Sequence, residues 1–399
     1  MLRFAPLALV LLVAGCTDTP VSASVSVADA LSGDTTGYAR ADRVRPFAFP
    51  ADHGPHPAFK TEWWYVTGNL RATDGSGRRF GVQFTVFRSA LAPDSARAER
   101  ASAWAATQLY MAHVAVGDIA GRRFFSQERF ARGAAGLAGA SAEPVRAFLG
   151  SVEMRQAADA SGAVPLRLVG SAEGAAFALD ARPVKPVVLQ GDRGLSQKGA
   201  EAGNASYYYA QTRMATTGTV TLPDRDGAAG ETVPVEGLTW LDREWSTSAL
   251  AGGQTGWDWF ALHLDDGRDL MLYQLRGREG IKDPLSEGSI VDAEGGKTRL
   301  AAAAFSLEPV ARWTSPSGAA YPTRWRVRVP SEGLDLAVTA ALDASELDAT
   351  VRYWEGAVDV AGSVAGSGFL EMTGYADTPA RRADALARTS TSSASSSAR

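Results

Sequence analysis

From Glu62 onward the chain breaks into short apolar runs separated by turn-forming residues, at intervals of roughly ten residues. Glu62 to Gly68 reads as an aromatic strand, Asp74-Gly75-Ser76-Gly77 as its turn, and Phe80 to Phe87 as a returning strand with alternating side chains. Leu109–Val116, Leu166–Gly170, Ala175–Leu179, Tyr207–Met214, Leu300–Leu307, Trp325–Val329, Leu334–Thr339, Val351–Val360 and Gly366–Tyr375 continue the series. Helical signal is confined to a turn or two within Ala92–Trp104 and Ala131–Leu149. A chain of 399 residues is long for a single core, so the pattern predicts an all-β protein with two barrels or barrel-like sandwiches in tandem. The polar, Gly-bearing stretch from Pro223 to Gly227 is the expected boundary, giving units at 47–230 and 231–376.

Chemistry is densest between Trp240 and Tyr273. Four of the ten tryptophans (Trp240, Trp245, Trp257, Trp259) stand here among Asp242, Arg243, Glu244 and Asp258. Asp266-Gly267 reads as a two-residue hairpin turn, which would set Leu264 opposite Asp269, Leu262 opposite Met271 and Phe260 opposite Tyr273. One face would then carry Asp258 with Phe260, Leu262, Met271, Tyr273 and Leu275; the other would carry Trp257, Trp259, Ala261, His263 and Gln274, with Trp257 opposite Arg276 for a cation–π pair. Asp258 would be a carboxyl in apolar surroundings, with a raised pKa.

The two ends are of a different kind. Arg3, the short apolar run from Ala5 and Val13-Ala14-Gly15-Cys16 match a lipoprotein signal over residues 1–15, with Cys16 as the acylated residue. Cys16 is the sole cysteine, so no internal disulfide is available and the core must suffice. Thr17 in place of an aspartate favours the outer membrane, facing the periplasm, in a two-membrane cell. Residues 16–46 read as a tether and 377–399, rich in serine, as a disordered tail.

Several function classes find no support. Forty basic against 44 acidic side chains leave no electrostatic footprint for nucleic acid. No G-x-S-x-G elbow or nucleotide-binding glycine loop occurs, and no cofactor is expected. His53 and His56 with Glu62 have metal-ligand chemistry, but Pro55 and Pro57 break any helical spacing, so no metal site is expected. Glu62, Asp242, Glu244, Arg213 and Arg243 are charges embedded among aromatics; they suit either an ion-pair network or a polar cluster at an apolar cavity, with Tyr208 adding a hydroxyl. His113 sits on an apolar strand face as a core or cavity residue, and with Asp242 and Asp258 it completes the candidate catalytic set.

The blocks Lys60 to Tyr65, Tyr207 to Tyr209, Thr212-Arg213, Asp242 to Trp245, Gly256 to Trp259, Tyr353 to Gly356 and Gly374-Tyr375 together resemble the AttH-type family related to carotenoid 1,2-hydratase, over residues 47 to 376. The resemblance implies two tandem lipocalin-like β-barrels, export, and in some relatives a neighbouring transporter permease of the ABC type. It also implies a cavity for a hydrophobic lipid or isoprenoid, with Glu62, Trp64, Tyr208, Arg213, Arg243, Glu244, Trp245, Trp257, Trp259 and Tyr273 in or near it. The hydratase branch protonates a terminal double bond and adds water, using a histidine where this chain has Arg243 and an aspartate where it has Gln274. Neither arginine nor glutamine exchanges a proton near neutral pH. The expectation is therefore a lipid-anchored binding or transfer protein, with a hydratase or hydrolase on an apolar substrate as the alternative.

Overall fold

The computed structural model describes residues 34–93, 102, 104–224, 230–247, 251, 253–277 and 280–376. The signal segment, Cys16 and the tail 377–399 lie outside them, as does most of Ala92–Trp104. Thirteen strands form the first sheet: β1 (Thr61–Ala72), β2 (Arg79–Ala90), β3 (Gln108–Asp118), β4 (Arg123–Arg132), β5 (Ala138–Ala142), β6 (Val145–Leu149), β7 (Val152–Gln156), β8 (Leu166–Ala172), β9 (Ala175–Pro183), β10 (Val188–Leu189), β11 (Leu195–Gln197), β12 (Ala205–Thr221) and β13 (Thr232–Ser246). Ten form the second: β14 (Gln254–Leu264), β15 (Asp269–Gly277), β16 (Glu287–Val291), β17 (Lys297–Ala301), β18 (Ser306–Thr314), β19 (Ala320–Val329), β20 (Leu334–Ala340), β21 (Glu346–Leu347), β22 (Tyr353–Gly362) and β23 (Gly366–Thr373). Among the described residues the only helical elements are three single 3₁₀ turns. The expected all-β architecture with two lipocalin-like units is what the chain adopts.

The first sheet runs β4-β3-β2-β1-β13-β12-β9-β8-β7-β6-β5 and curls until β6 and β8 pack across against β3 and β4. Its interior is filled by side chains that include Trp64, Val66, Phe80, Phe84, Val114, Leu168 and Met214, so this barrel is solid. The second sheet runs β17-β16-β15-β14-β23-β22-β20-β19-β18, a half-barrel around Phe260, Leu262, Leu272, Trp325, Trp354 and Leu370.

Four expectations need correcting. The sheets change between Ser246 and Gln254, and not at residue 230: β13 pairs with β1 on one side and β12 on the other, inside the first sheet. The stretch around Pro223 joins β12 to β13 as a hairpin, and hairpin turns share the polar, Gly-rich composition of linkers. The run Ala131–Leu149 is not helical. It spans the end of β4 and the hairpin β5–β6, of which β6 buries alternate residues. Leu300–Leu307 contains the break between β17 and β18.

The fourth concerns the tether. Ala41 is fully buried, Tyr38 donates to the Ala90 carbonyl at 3.1 Å, and Tyr207 donates to the Arg43 carbonyl at 2.9 Å. Packing thus begins well before residue 47. Phe47, Phe49 and Phe59 then close over Tyr207, Tyr209 and Trp245, so this leading segment stoppers one end of the first sheet.

Polar ties and close packing fasten the two sheets to each other. Asp269 accepts Thr212 at 2.9 Å and forms ion pairs with Arg213 at 2.7 Å and Lys185 at 2.8 Å. Asn69 donates to the Gly368 carbonyl at 2.6 Å, and Arg79 pairs with Asp359 at 2.5 Å. At Gly81 the sheets come so close that a Cβ would stand 3.0 Å from that of Ala357. Gly81→Val should therefore cost about 1–3 kcal/mol, the usual range for overpacking, read as a lower midpoint in chemical denaturation. An unchanged midpoint would show that the sheets are not held this tightly.

Candidate functional site between the two sheets

Strand alternation on β13 decides what faces the second sheet. Leu241, Arg243 and Trp245 point into the first barrel or its stopper, while Asp242, Glu244 and Ser246 point out and line a cavity of about 240 Å³. On the adjacent β1, Trp63 and Tyr65 join that wall, and β2, β3 and β12 add Phe87, His113 and Tyr208. The opposite wall comes from the second sheet, with Trp257, Trp259, Tyr273, Leu275, Tyr353 and Glu371. The expected cavity is thus located between the two sheets, with no barrel enclosing it.

The hairpin β14–β15 reaches this arrangement through a register one residue from the expected one. His263 pairs with Asp269, Ala261 with Met271, Trp259 with Tyr273 and Trp257 with Leu275. The loop holds three residues, Asp265, Asp266 and Gly267, and closes with Gly267 N–H donating to Leu264 O; Gly267 at φ +90° supplies the left-handed step. One extra loop residue shifts each pairing by one and exchanges the faces of β15. Tyr273 and Leu275 thereby join Trp257 and Trp259 in the cavity. Asp258 goes to the interior of the second sheet, where it accepts Gln274 at 2.8 Å and Tyr375 at 2.9 Å and pairs with Arg276 at 3.1 Å. Burial still raises its pKa against the Arg276 charge, but it faces no cavity. The expected Trp257–Arg276 cation–π pair does not form, because Arg276 stacks over Tyr375 at 3.9 Å.

Other candidates sort in the same way. Glu62 touches the cavity edge but is gripped by the guanidiniums of Arg88 and Arg243. Burial pushes its pKa up, and Arg243, His56 and Arg88 overcome that and hold it well below the usual carboxylate range. Arg243 lies 3.9 Å over the Trp64 ring, and Trp64 donates to the His53 carbonyl at 2.9 Å. His56 stacks on Trp245 at 3.7 Å and bonds Asp52 at 3.0 Å. Trp64, Arg243 and Trp245 therefore belong to a structural network beneath the stopper, and Arg213 belongs to the clamp at Asp269. Arg243 and Gln274 both point away from the cavity.

What remains facing the cavity is a set of acids with few cations. Asp242 is 3% exposed; Tyr208 donates to Oδ2 and Trp240 Nε1–H to Oδ1, each at 2.6 Å. Burial pushes its pKa up to about 8, since neutral donors offset only part of the lost hydration. Glu371 accepts Trp257 Nε1–H at 2.7 Å, and burial pushes it up to about 7. Glu355, its direct partner across β22–β23, is raised well above the usual range by burial and by the Glu371 charge. Glu244 accepts from Ser206 and pairs with Lys198 at 3.3 Å; burial opposes the Lys198 charge, but Glu244 and Tyr273 prevail and raise its pKa. His113 bonds the Tyr353 hydroxyl at 2.7 Å and Glu128 at 2.9 Å. Among the described residues no group of three or more His, Cys, Asp or Glu side chains could hold a metal ion.

Of the expected set, the structure brings together Asp242, His113, Tyr208, Glu244, Trp257, Trp259 and Tyr273. Sequence reading missed Lys198, Tyr65, Tyr353, Glu355 and Glu371 as site residues. Glu371 carried a usable signal, a lone acid inside the apolar run Phe369-Leu370-Glu371-Met372. Lys198 carried none.

The model of the AttH-like family matches residues 40–375. The chain is a member of the AttH-like family. A crystal structure of a protein assigned as AttH from Nitrosomonas europaea is 33% identical, with a TM-score of 0.72, covering 84% of this chain and 99% of its own. Kievitone hydratase from Nectria haematococca shares the fold, with a TM-score of 0.61 at 14% identity, covering 86% of this chain and 99% of its own. No functionally curated protein matches.

For this AttH-like chain the raised acids make stability depend on pH in a definite direction. A carboxyl whose folded pKa lies above its unfolded one binds more protons when folded, so stability falls as pH rises from about 4 towards 8. Asp242→Asn removes that term. Its melting temperature should rise relative to the parent as pH goes from 5 to about 8. A constant difference across that window would contradict the assignment.

Proposed function

We propose that the inter-sheet cavity takes up an apolar, unsaturated molecule and protonates it, leading to acid-catalysed addition of water. One observation carries the reading: on opposite walls of an aromatic cavity, burial pushes Asp242 and Glu371 up to pKa values near 8 and 7, so that at neutral pH Asp242 is mostly and Glu371 about half protonated. An ionised carboxylate cannot protonate an alkene, and an acid of ordinary pKa is ionised at neutral pH.

The chemistry balances within the cavity. The O–H bond of one acid breaks as its proton adds to one alkene carbon, leaving a cation on the other. Trp63, Trp257, Trp259 and Tyr273 line the space where that cation forms, and an aromatic face turned to a cation stabilises it by about 0.5–2 kcal/mol. Water then bonds to the cation, and Glu244, in its pair with Lys198, accepts the oxonium proton. That pair is internally neutral and the acids add no charge in their protonated forms, which suits an uncharged guest. The hydratase among the fold neighbours supports the reaction class.

Carriage of a hydrophobic ligand without reaction is the second reading, favoured by resemblance alone: Arg243 and Gln274 stand where the hydratase branch is expected to carry a proton-exchanging histidine and aspartate, and neither reaches this cavity. In either case an acylated Cys16 would tether the body at the periplasmic face of the outer membrane, where apolar molecules partition, and an ABC transporter permease is the partner class suggested by resemblance.

The test incubates purified protein in isotope-labelled water with acyclic isoprenoids and with aromatic compounds bearing alkene side chains. Mass spectrometry should show a ligand heavier by one labelled water, with the rate down about 100-fold or more in Glu371→Gln or Asp242→Asn. Ligands bound and recovered unchanged would leave carriage as the function.

A further inference from the structure

We infer that a chain of hydrogen-bonding side chains, Glu128–His113–Tyr353–Glu355–Tyr65–Glu371, carries protons from the protein surface to the cavity, which makes Glu371 the acid that is recharged. The inference rests on the acid reading above and goes beyond it by assigning the route.

Each member is placed by strand register. His113 on β3 lies opposite Glu128 on β4, and its Nε2 stands 2.9 Å from Glu128 Oε1. Glu128 is the outward end, its side chain 16% exposed and bonded to Thr350. His113 Nδ1 stands 2.7 Å from the Tyr353 hydroxyl, which crosses from the first sheet to the second. Tyr353 and Glu355 share one face of β22, two residues apart. The Tyr65 hydroxyl, returning from the first sheet, donates to Glu355 Oε1 and also lies against the Glu371 carboxyl. Glu355 and Glu371 are direct partners across β22–β23. Only Glu355 Oε2 lacks a partner at rest, and the Tyr353 hydroxyl beside it needs only to rotate to supply one.

That arrangement is hard to explain as scaffolding. Two acids directly opposite on adjacent strands repel when ionised, and a tie between sheets would use a carboxylate with a cation, as Asp269 does. Here every bridging group can both give and take a proton. Phe87 packs edge-on against His113 at 5.4 Å, and Gln83 donates to Tyr353 at 3.4 Å, holding the central pair without adding charge. Asp242 has no such connection, since beyond Tyr208 and Trp240 its network reaches only the Trp259 indole N–H, which donates to Tyr208 and cannot relay a proton.

Each hop breaks one O–H or N–H bond and makes another. Glu371 gives its proton to the bound alkene and takes one from Tyr65, which is recharged by Glu355. Glu355 takes one from Tyr353, and Tyr353 takes the Nδ1 proton of His113. Nε2 of His113 takes a proton that Glu128 has collected from solvent, which leaves the Nε2–H tautomer; rotation of the imidazole ring and of the two tyrosine hydroxyls then returns the relay to its starting state. The net result is one proton moved from solvent to substrate, with every relay residue restored.

Infrared spectroscopy of substrate-free protein tests the route by following how fast the protonated carboxyls of Glu355, Glu371 and Asp242 deuterate after transfer to D2O. Bands are assigned through Glu355→Gln, Glu371→Gln and Asp242→Asn. Tyr353→Phe and His113→Asn should each slow deuteration of Glu355 by about 100-fold or more, the loss expected when one positioned proton-transfer group is removed. The Asp242 band should exchange at its normal rate in both, which also reports that each variant is folded. Unchanged Glu355 exchange in both, or equal slowing of Asp242, would overturn the relay. Since no substrate is present, failure of the hydration reading would show only in the labelled-water experiment.

Discussion

Burial of carboxyl groups without matching cations is the constraint around which this molecule is arranged. Removing a carboxylate from water costs several kcal/mol unless a cation and hydrogen bonds compensate. The chain applies both solutions on two neighbouring strands. Glu62 receives two guanidiniums and ionises fully; Asp242, on the strand paired with it, receives a phenol and an indole and keeps its proton. The first solution builds a rigid support beneath the stopper, and the second leaves an acid facing an aromatic cavity.

The two sheets make this division possible. Had one barrel enclosed the ligand, its interior would have to be both core and cavity. Here the first barrel is packed solid and the second sheet has its own apolar core, so the seam between them is free to hold polar chemistry. Pleat alternation then assigns roles without extra elements. Arg243 and Trp245 serve the support, while Asp242 and Glu244, interleaved with them on β13, serve the cavity. Because both walls contribute acids, sheet separation sets their burial and hence their protonation.

Much of the fold was legible because period-2 alternation and turn residues speak for themselves. The limits were also physical. Hairpin turns and linkers have the same composition, so the stretch at Pro223 gave no sign that β13 remains in the first sheet. A three-residue loop at Asp265 to Gly267 differs from a two-residue one by a single residue, yet it transfers Tyr273 and Leu275 into the cavity and leaves Asp258 behind. Residues of one strand could be recognised as a site, as at Asp242 and Glu244. Glu371 and Glu355 could not be joined to Tyr65 from sequence, since about 290 positions separate the hydroxyl from the acid it meets. Lys198 sits in an unremarkable polar stretch that only the packing of β11 and β12 brings to Glu244.

The central claim is that the cavity acids are protonated when the protein is at work. Infrared titration of the carboxyl stretch, with Asp242→Asn and Glu371→Gln to assign the bands, measures this directly in the folded protein. Beside the band of Glu355, those of Glu371 and Asp242 should persist at pH 6 and disappear with midpoints near 7 for Glu371 and near 8 for Asp242. Bands already absent at pH 6 would mean that both acids are ionised, and the cavity would then have no proton to give.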